Sequence, residues 1–204
     1  MKSVTKQELD IITRTRGEVL SYKVPTGENM FILWGYPTVF FLLLEFAALM
    51  LLHQNWCIWI WLGIPLVGTP QMFYFLRKDY DHTHNRTLDA NVILQMWMFV
   101  GFISCLGGFL MGCADVFEVC YCTFLGLLVS MGCFVSGVIL RFSPKTICGF
   151  IGAILTLATL FFQGENWPWQ LFILAVVTII TLIIPGHLFR RYVRKMKHQS
   201  DSYE

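Results

Sequence analysis

The chain has 204 residues and a formal net charge of +2; 56% of its residues are hydrophobic and only 14% are charged. Soluble domains contain about 25% charged residues, so this composition excludes a soluble globular domain. It also excludes a disordered chain, a collagen-like repeat and a small disulfide-stapled protein. A polytopic membrane protein remains.

Six segments are predicted to cross the membrane as helices, because a spanning helix needs about 20 mostly apolar residues. They are 30–52, 56–76, 91–112, 117–140, 146–163 and 169–189. A β-barrel would show alternating polarity, which stretches such as 39–44 lack. The predicted fold is therefore all-α: a polytopic transmembrane six-helix bundle.

Three regions follow from these segments. Residues 1–27 are predicted to be a cytoplasmic segment with a short helix, which a capping-box pattern at 5–8 would start. Residues 28–189 form the six-helix membrane domain, and residues 190–204 form a basic cytoplasmic tail.

The basic residues predict the orientation. All 15 Lys and Arg residues lie in the two tails, in the connection 77–90 or in the connection 141–145. The connections on the opposite side contain none. Because loops rich in Lys and Arg stay in the cytoplasm, both termini are predicted to be cytoplasmic.

Small residues recur along three of the predicted spans at spacings of three and four, which places each set on one face of a helix. The third span has Gly101, Cys105, Gly108 and Gly112; the fourth has Gly126, Ser130, Cys133 and Gly137; the fifth has Gly149, Gly152, Thr156, Thr159 and Gln163. Small residues let membrane helices approach closely. We expect the third and fourth stripes to face each other, and the fifth to face the bundle interior.

Glu45 is the only ionisable residue deep within a predicted span. A charge at that depth costs about 2.5–3.5 kcal/mol on insertion scales, so a functional role is the first hypothesis. The functional interpretation is a proton or cation site. The alternative is a protonated or hydrogen-bonded carboxyl that holds helices together through Thr38, Gln163 or a serine.

The histidines and cysteines give weaker indications. His53 and His187 fall at opposite ends of their spans, which disfavours a haem, and His82 and His84 fit either a weak divalent-metal loop or a solvated connector. In an oxidising compartment Cys113 can pair with Cys120 or Cys122, and the sequence leaves that open. No catalytic residue, metal site or cofactor is predicted, because hydrolase, metalloprotease and phosphate-loop motifs are absent.

Prolines single out the second predicted span. Pro65 and Pro70 lie inside it, together with Gly63 and Gly68. Prolines remove backbone donors and kink helices. This span is therefore the most probable broken helix of the six.

Three stretches resemble one known family. Residues 31–36 (F-I-L-W-G-Y) resemble its opening F-x-L-W-G-W, residues 134–144 resemble its F-V-S-G-G-I-L-K-F-K-P, and residues 183–188 resemble its closing I-I-P-G-H-L. The family comprises small, uncharacterised six-span inner-membrane proteins of Bacteroidota. The resemblance implies a bacterial inner membrane and six helices. Family members are often encoded beside a winged-helix regulator, which implies a signalling role.

The leading functional interpretation is a non-enzymatic membrane protein that senses or scaffolds. Its tails and the connection 77–90 would bind a cytoplasmic regulatory protein, and its other partner is the lipid bilayer. Direct contact with nucleic acid is not expected, and a homo-oligomer stays open. The alternative is a small transporter or channel that uses Glu45.

Overall fold

A computed structural model describes residues 25–52, 55–80, 88–113, 121–162 and 166–201, and within them the chain is almost entirely helical. The helices are α1 (Pro25–Leu52), a 3-10 helix (Asn55–Leu62) that leads into α2 (Gly63–Tyr80), α3 (Leu88–Cys113), α4 (Tyr121–Ile139), α5 (Ser143–Leu157), α6 (Pro168–Thr178) and α7 (Ile184–Asp201). A π-helical turn, Ile179–Ile183, joins α6 to α7 in one continuous rod. The predicted short helix near the N-terminus lies outside the described residues.

Five helices are long and apolar enough to cross a membrane. They comprise Phe31–Leu52, Val92–Phe109, Tyr121–Ile139, Ser143–Phe161 and Pro168–Lys195. The all-α prediction for a multi-pass membrane protein is confirmed at this level. The cytoplasmic position of both termini stays a prediction.

The second predicted span is broken, as its prolines indicated. Residues Asn55–Leu62 form a 3-10 helix, and a regular α-helix begins only at Gly63. Pro65, in the first turn of α2, has no amide hydrogen to donate to the carbonyl of Trp61, which favours a change of helix type here. The segment is not one of the five candidate spanning helices, since α2 is only 18 residues long and includes Arg77, Lys78 and Asp79.

The outer surface of the bundle is apolar, whereas much of the interior is small or polar. Leu51 is 80% exposed and Phe161 is 87% exposed, while Thr156, Thr159 and Thr181 are fully buried. Large apolar side chains on the outside suit a lipid environment, in which small and polar residues associate helices. Leu127, one position beyond Gly126 on α4, is also exposed.

Helices α4 and α5 form a tight antiparallel hairpin. A side-chain carbon added at Gly126 would lie 2.6 Å from Thr156 Cγ2, and one added at Gly137 would lie 2.5 Å from the Thr146 amide nitrogen. The hairpin turn contains Arg141 with a φ of 51°. The small stripe of α4 therefore packs on the small stripe of α5.

The expectation that the third and fourth stripes face each other is wrong. A carbon added at Gly101 would meet nothing within 4 Å, and Gly108 faces Trp61 and Tyr121. Helix α3 contacts α4 through larger groups instead: Trp97 Nε1 donates to Ser136 Oγ at 2.9 Å. Bulky rings occupy this interface, so the backbones of α3 and α4 cannot approach as closely as those of α4 and α5.

The expectation for the fifth stripe is confirmed for the residues that are described. Gly149, Gly152, Thr156 and Thr159 are all buried in the interior. Gln163 lies outside the described residues. The stripe thus supplies the close contact surface that α5 presents to its neighbours.

Helix α1 packs along the α6–α7 rod. A carbon added at Gly35 would lie 2.8 Å from Ile183 Cγ1, and one added at Gly186 would lie 2.9 Å from Ile32 Cγ1. The Tyr36 hydroxyl is hydrogen-bonded to His187 Nε2 at 3.0 Å. Residues 31–36 of α1 and residues 183–188 of the rod therefore contact each other directly.

Candidate functional site

Glu45 is fully buried inside the bundle, and neither carboxyl oxygen has a hydrogen-bond partner among the described residues. Leu42 and Leu49 lie on the same face of α1, one turn before and one turn after Glu45. Both belong to an apolar cluster that includes Leu171 and Leu174 of α6. The α1–α6 contact therefore buries a carboxyl group among apolar side chains, without a hydrogen bond among the described residues to offset the cost of burial.

The predicted partners of Glu45 are not found. Thr38 makes no hydrogen bond to it, since both carboxyl oxygens are unpartnered, and the hydroxyl of Ser130 is also unpartnered. Gln163 lies outside the described residues. Among the described residues, the groups within electrostatic range of the carboxyl are the Tyr121 hydroxyl and the Cys122 thiol of α4.

Lys145 is a second buried ionisable group, which sequence reasoning assigned to a cytoplasmic connection. It occupies the first turn of α5 and is only 1% exposed. Its Nζ atom lies 3.1 Å from the centroid of the Phe31 ring and has no hydrogen-bond partner among the described residues. Taking a charge out of water is costly unless it is paired, so such a lysine needs a specific reason.

A signal for Lys145 was present in the sequence. The stripe on α5 continues backwards from Gly149 by four residues, which is one helical turn, and reaches Lys145. The same periodicity that predicted a buried face for Gly149 and Gly152 therefore predicts a buried Lys145. The burial of Lys145 was not predicted, because basic residues near the end of a span usually extend into water.

Segments of α1, of the turn between α4 and α5, and of α7 meet at the Lys145 end of the bundle. Phe31 of α1 contacts Lys145, and its Cβ lies 3.5 Å from the carbon position at Gly186 of α7. Phe142 of the turn packs edge-on against Phe189 of α7, with ring centroids 5.2 Å apart. Segments far apart in sequence thus surround one buried amine.

A line of buried polar side chains runs from Lys145 along the contact between α4 and α5. We call it the polar column, and all of its members are at most 6% exposed. Its members, in order from the Lys145 end, are Lys145, Cys133 with Thr181, Ser130, Thr156, and Thr123 with Thr159.

Most hydroxyls of the polar column bond to their own helix, as Thr156 does to the Gly152 carbonyl at 2.8 Å. Such back-bonding is ordinary in membrane helices. Two features are less ordinary. The hydroxyls of Thr123 and Thr159 bond across helices at 2.5 Å, and the Ser130 hydroxyl has no partner among the described residues.

A proline explains one contact in the polar column. Pro185 has no amide hydrogen and therefore cannot bond to the carbonyl four residues earlier, that of Thr181. The Cys133 thiol donates to this carbonyl at 2.9 Å. The π-helical turn at Ile179–Ile183 occurs at the same place, and such turns are frequent at functional sites.

Glu45 and Lys145 lie at different depths in the bundle. Phe31 lies beside Lys145, and Glu45 follows Phe31 by fourteen residues, which is a rise of about 21 Å in an α-helix. Thr159 follows Lys145 by the same number of residues, along α5 and the 3-10 helix Ala158–Phe161 that continues it. Glu45 therefore lies at the depth of the Thr123–Thr159 pair, and it is much too far from Lys145 to form an ion pair.

The remaining candidate residues do not join this arrangement. His187 bonds to Tyr36 near the surface, while His53, His82 and His84 lie outside the described residues. Among the described residues no group of three or more His, Cys, Asp or Glu side chains is arranged to hold a metal ion. Cys122 is a buried free thiol, so its predicted pairing with Cys113 is not formed; pairing of Cys113 with Cys120 lies outside the described residues.

Comparison of the chain with protein-family models, with curated proteins and with solved structures finds no match.

Proposed function

We propose that this protein transports a proton or a small cation across a membrane, with Glu45 as the intramembrane binding group. The buried Glu45 carboxyl without a hydrogen-bond partner carries this proposal. With the N-terminus in the cytoplasm, as the basic residues predict, Glu45 lies in the half of the first span nearer the opposite face.

The physical argument concerns the free-energy cost of burying the Glu45 carboxyl. Ionisable residues in membrane helices are expensive and usually mark ion pathways or proton relays. A carboxyl that held helices together would use its oxygens for hydrogen bonds, and those of Glu45 make none with the described residues. An unpaired carboxyl is instead available to a proton or a cation.

The test is flux into liposomes that contain the purified protein. Wild-type protein is expected to dissipate an imposed pH or cation gradient, and Glu45→Gln is expected to abolish this flux. Leu127→Ala, on the lipid-facing side of α4, is the matched control and should keep the flux. Equal flux in wild type and Glu45→Gln, with both variants folded, would contradict the proposal.

Sensing or scaffolding is the second candidate function, and one observation favours it. Helix α7 continues the last span without a break as far as Asp201, and this extension carries exposed basic residues: Arg190, Arg191, Arg194 and Lys195. A rigid basic extension suits an acidic surface on a cytoplasmic regulatory protein. Removal of residues 190–204 should then abolish co-purification of that protein and leave ion flux unchanged.

A further inference from the structure

We infer that the transported ion is the proton, and that it travels between Lys145 and Glu45 along the polar column. This inference rests on the proposed transport function and assigns to it a substrate, a path and a second residue.

Local stability does not account for the position of Lys145. A cation in the first turn of a helix is disfavoured, because the N-terminal end of the helix dipole is positive. The ring of Phe31 offsets part of the burial cost, yet Nζ keeps all its hydrogen-bonding capacity unused among the described residues. A group that accepts and releases a proton explains a buried amine at one end of a polar line.

The polar column supplies groups that can pass a proton. A hydroxyl both donates and accepts hydrogen bonds. Ser130 has an unused hydroxyl midway along the line, 2.8 Å from the carbon position at Gly152, and the Thr123–Thr159 pair bridges two helices at its far end. Successive levels are three or four residues apart, which is about 4.5–6 Å, so the proposed path requires a water molecule to enter between levels.

The transfer balances as follows. A proton leaves the Lys145 ammonium, passes through hydroxyls and water, and reaches the Glu45 carboxylate. The products are a neutral amine and a neutral carboxylic acid, and no charge stays buried. Lys145 is then reprotonated from the solution at its own end, and Glu45 releases its proton towards the opposite face, which completes one transfer.

Few other titratable groups face the two ends. Tyr121 and Cys122 of α4 lie within electrostatic range of Glu45, and Cys133 of α4 lies within range of Lys145. Cys148 of α5 lies within range of Cys133. The exchange is therefore proposed to occur between Glu45 and Lys145.

The test follows the proton across the membrane, because only net transfer has to use the whole path. Purified protein in liposomes is given a pH gradient, and the rate of proton flux is measured. Lys145→Met and Ser130→Ala are each expected to lower this flux at least tenfold. Lys195→Met, which removes an exposed lysine of α7, is the matched control and should keep the wild-type flux.

The outcomes separate this inference from the proposed function. Wild-type proton flux in both Ser130→Ala and Lys145→Met would overturn the path, even if Glu45→Gln abolishes flux and so supports the proposed function. An infrared carboxyl band of Glu45, assigned by its loss in Glu45→Gln, that is ionised at pH 5 would overturn it too, because no proton is then held there. Flux of a metal cation, but not of protons, would contradict this inference and support transport. Should Lys145→Met fail to fold, Ser130→Ala and Thr156→Val decide.

Discussion

The Nζ atom of Lys145 lies 3.1 Å from the centre of the Phe31 ring, and this contact joins the start of α5 to the start of the first span. Neither residue is near the other in sequence. The ring faces an amine that has no other partner among the described residues, so the contact both stabilises the bundle and positions the amine at the end of the polar column.

The first prediction concerns this contact. Phe31→Leu should lower the free energy of unfolding in detergent by about 2 kcal/mol through the lost cation–π interaction, and Phe31→Tyr should retain it. The cost is expected to shrink when Phe31→Leu is made in a Lys145→Met background, since the two residues then no longer interact. Equal costs in both backgrounds would show that Phe31 contributes by packing alone.

The second prediction compares two glycines. A methyl group at Gly149 would lie 2.5 Å from the Phe134 backbone nitrogen, whereas one at Gly101 would meet nothing within 4 Å. Gly149→Ala should therefore destabilise the bundle by about 1–3 kcal/mol, and Gly101→Ala should have no measurable cost. Thermal unfolding of the two variants checks this. A larger loss of stability in Gly101→Ala than in Gly149→Ala would instead indicate that α3 and α4 are in close contact at Gly101.

The third prediction concerns the orientation. Cysteines introduced at Ser200 and at Thr83, in a background without native cysteines, should react with a membrane-impermeant thiol reagent only after the cells are opened. The reason is that basic connections remain in the cytoplasm. Labelling of either position in intact cells would reverse the assignment.

The sequence predicted which faces are buried more reliably than which faces meet. The spacing of Gly149, Gly152 and Thr156 is a property of one helix, and it correctly indicated their burial. The helix that packs against a stripe of small residues depends on the other helices. The rings of Trp97 and Tyr121 lie between α3 and α4, so the small residues of these two helices do not meet as expected. The spacing of residues along one helix does not indicate which side chains of the other helices will pack against it.

The candidate site was predictable only in part, for the same reason. Glu45 stood out because a lone carboxylate in an apolar segment is unusual. Lys145 did not, because basic residues near the end of a span are common, and only its register with Gly149 distinguishes it. The Cys133–Thr181 contact needed the structure, since it depends on a carbonyl that Pro185 frees in another helix.

The fourth prediction concerns that freed carbonyl. Pro185→Ala restores an amide that can bond to Thr181, which then competes with the Cys133 thiol for the same oxygen. We expect the infrared S–H band of Cys133, identified by its absence in Cys133→Ala, to move to the frequency of a weaker hydrogen bond. A band in the same position would mean that the π-helical turn, and not the proline, keeps the carbonyl available.

The last prediction concerns the effect of the Glu45 carboxyl on the free energy of unfolding. Its carboxyl is buried and makes no hydrogen bond with the described residues, so it contributes an uncompensated polar group to the folded bundle. Leaving such a group unsatisfied costs about 1–3 kcal/mol, and Glu45→Leu should therefore raise the free energy of unfolding by a similar amount. Glu45→Gln keeps a buried polar group and should be nearly neutral. Thermal unfolding in detergent measures both. If Glu45→Leu destabilised the protein instead, the carboxyl would have a structural partner outside the described residues. A gain in stability together with a loss of flux is the result expected if Glu45 serves transport and not folding.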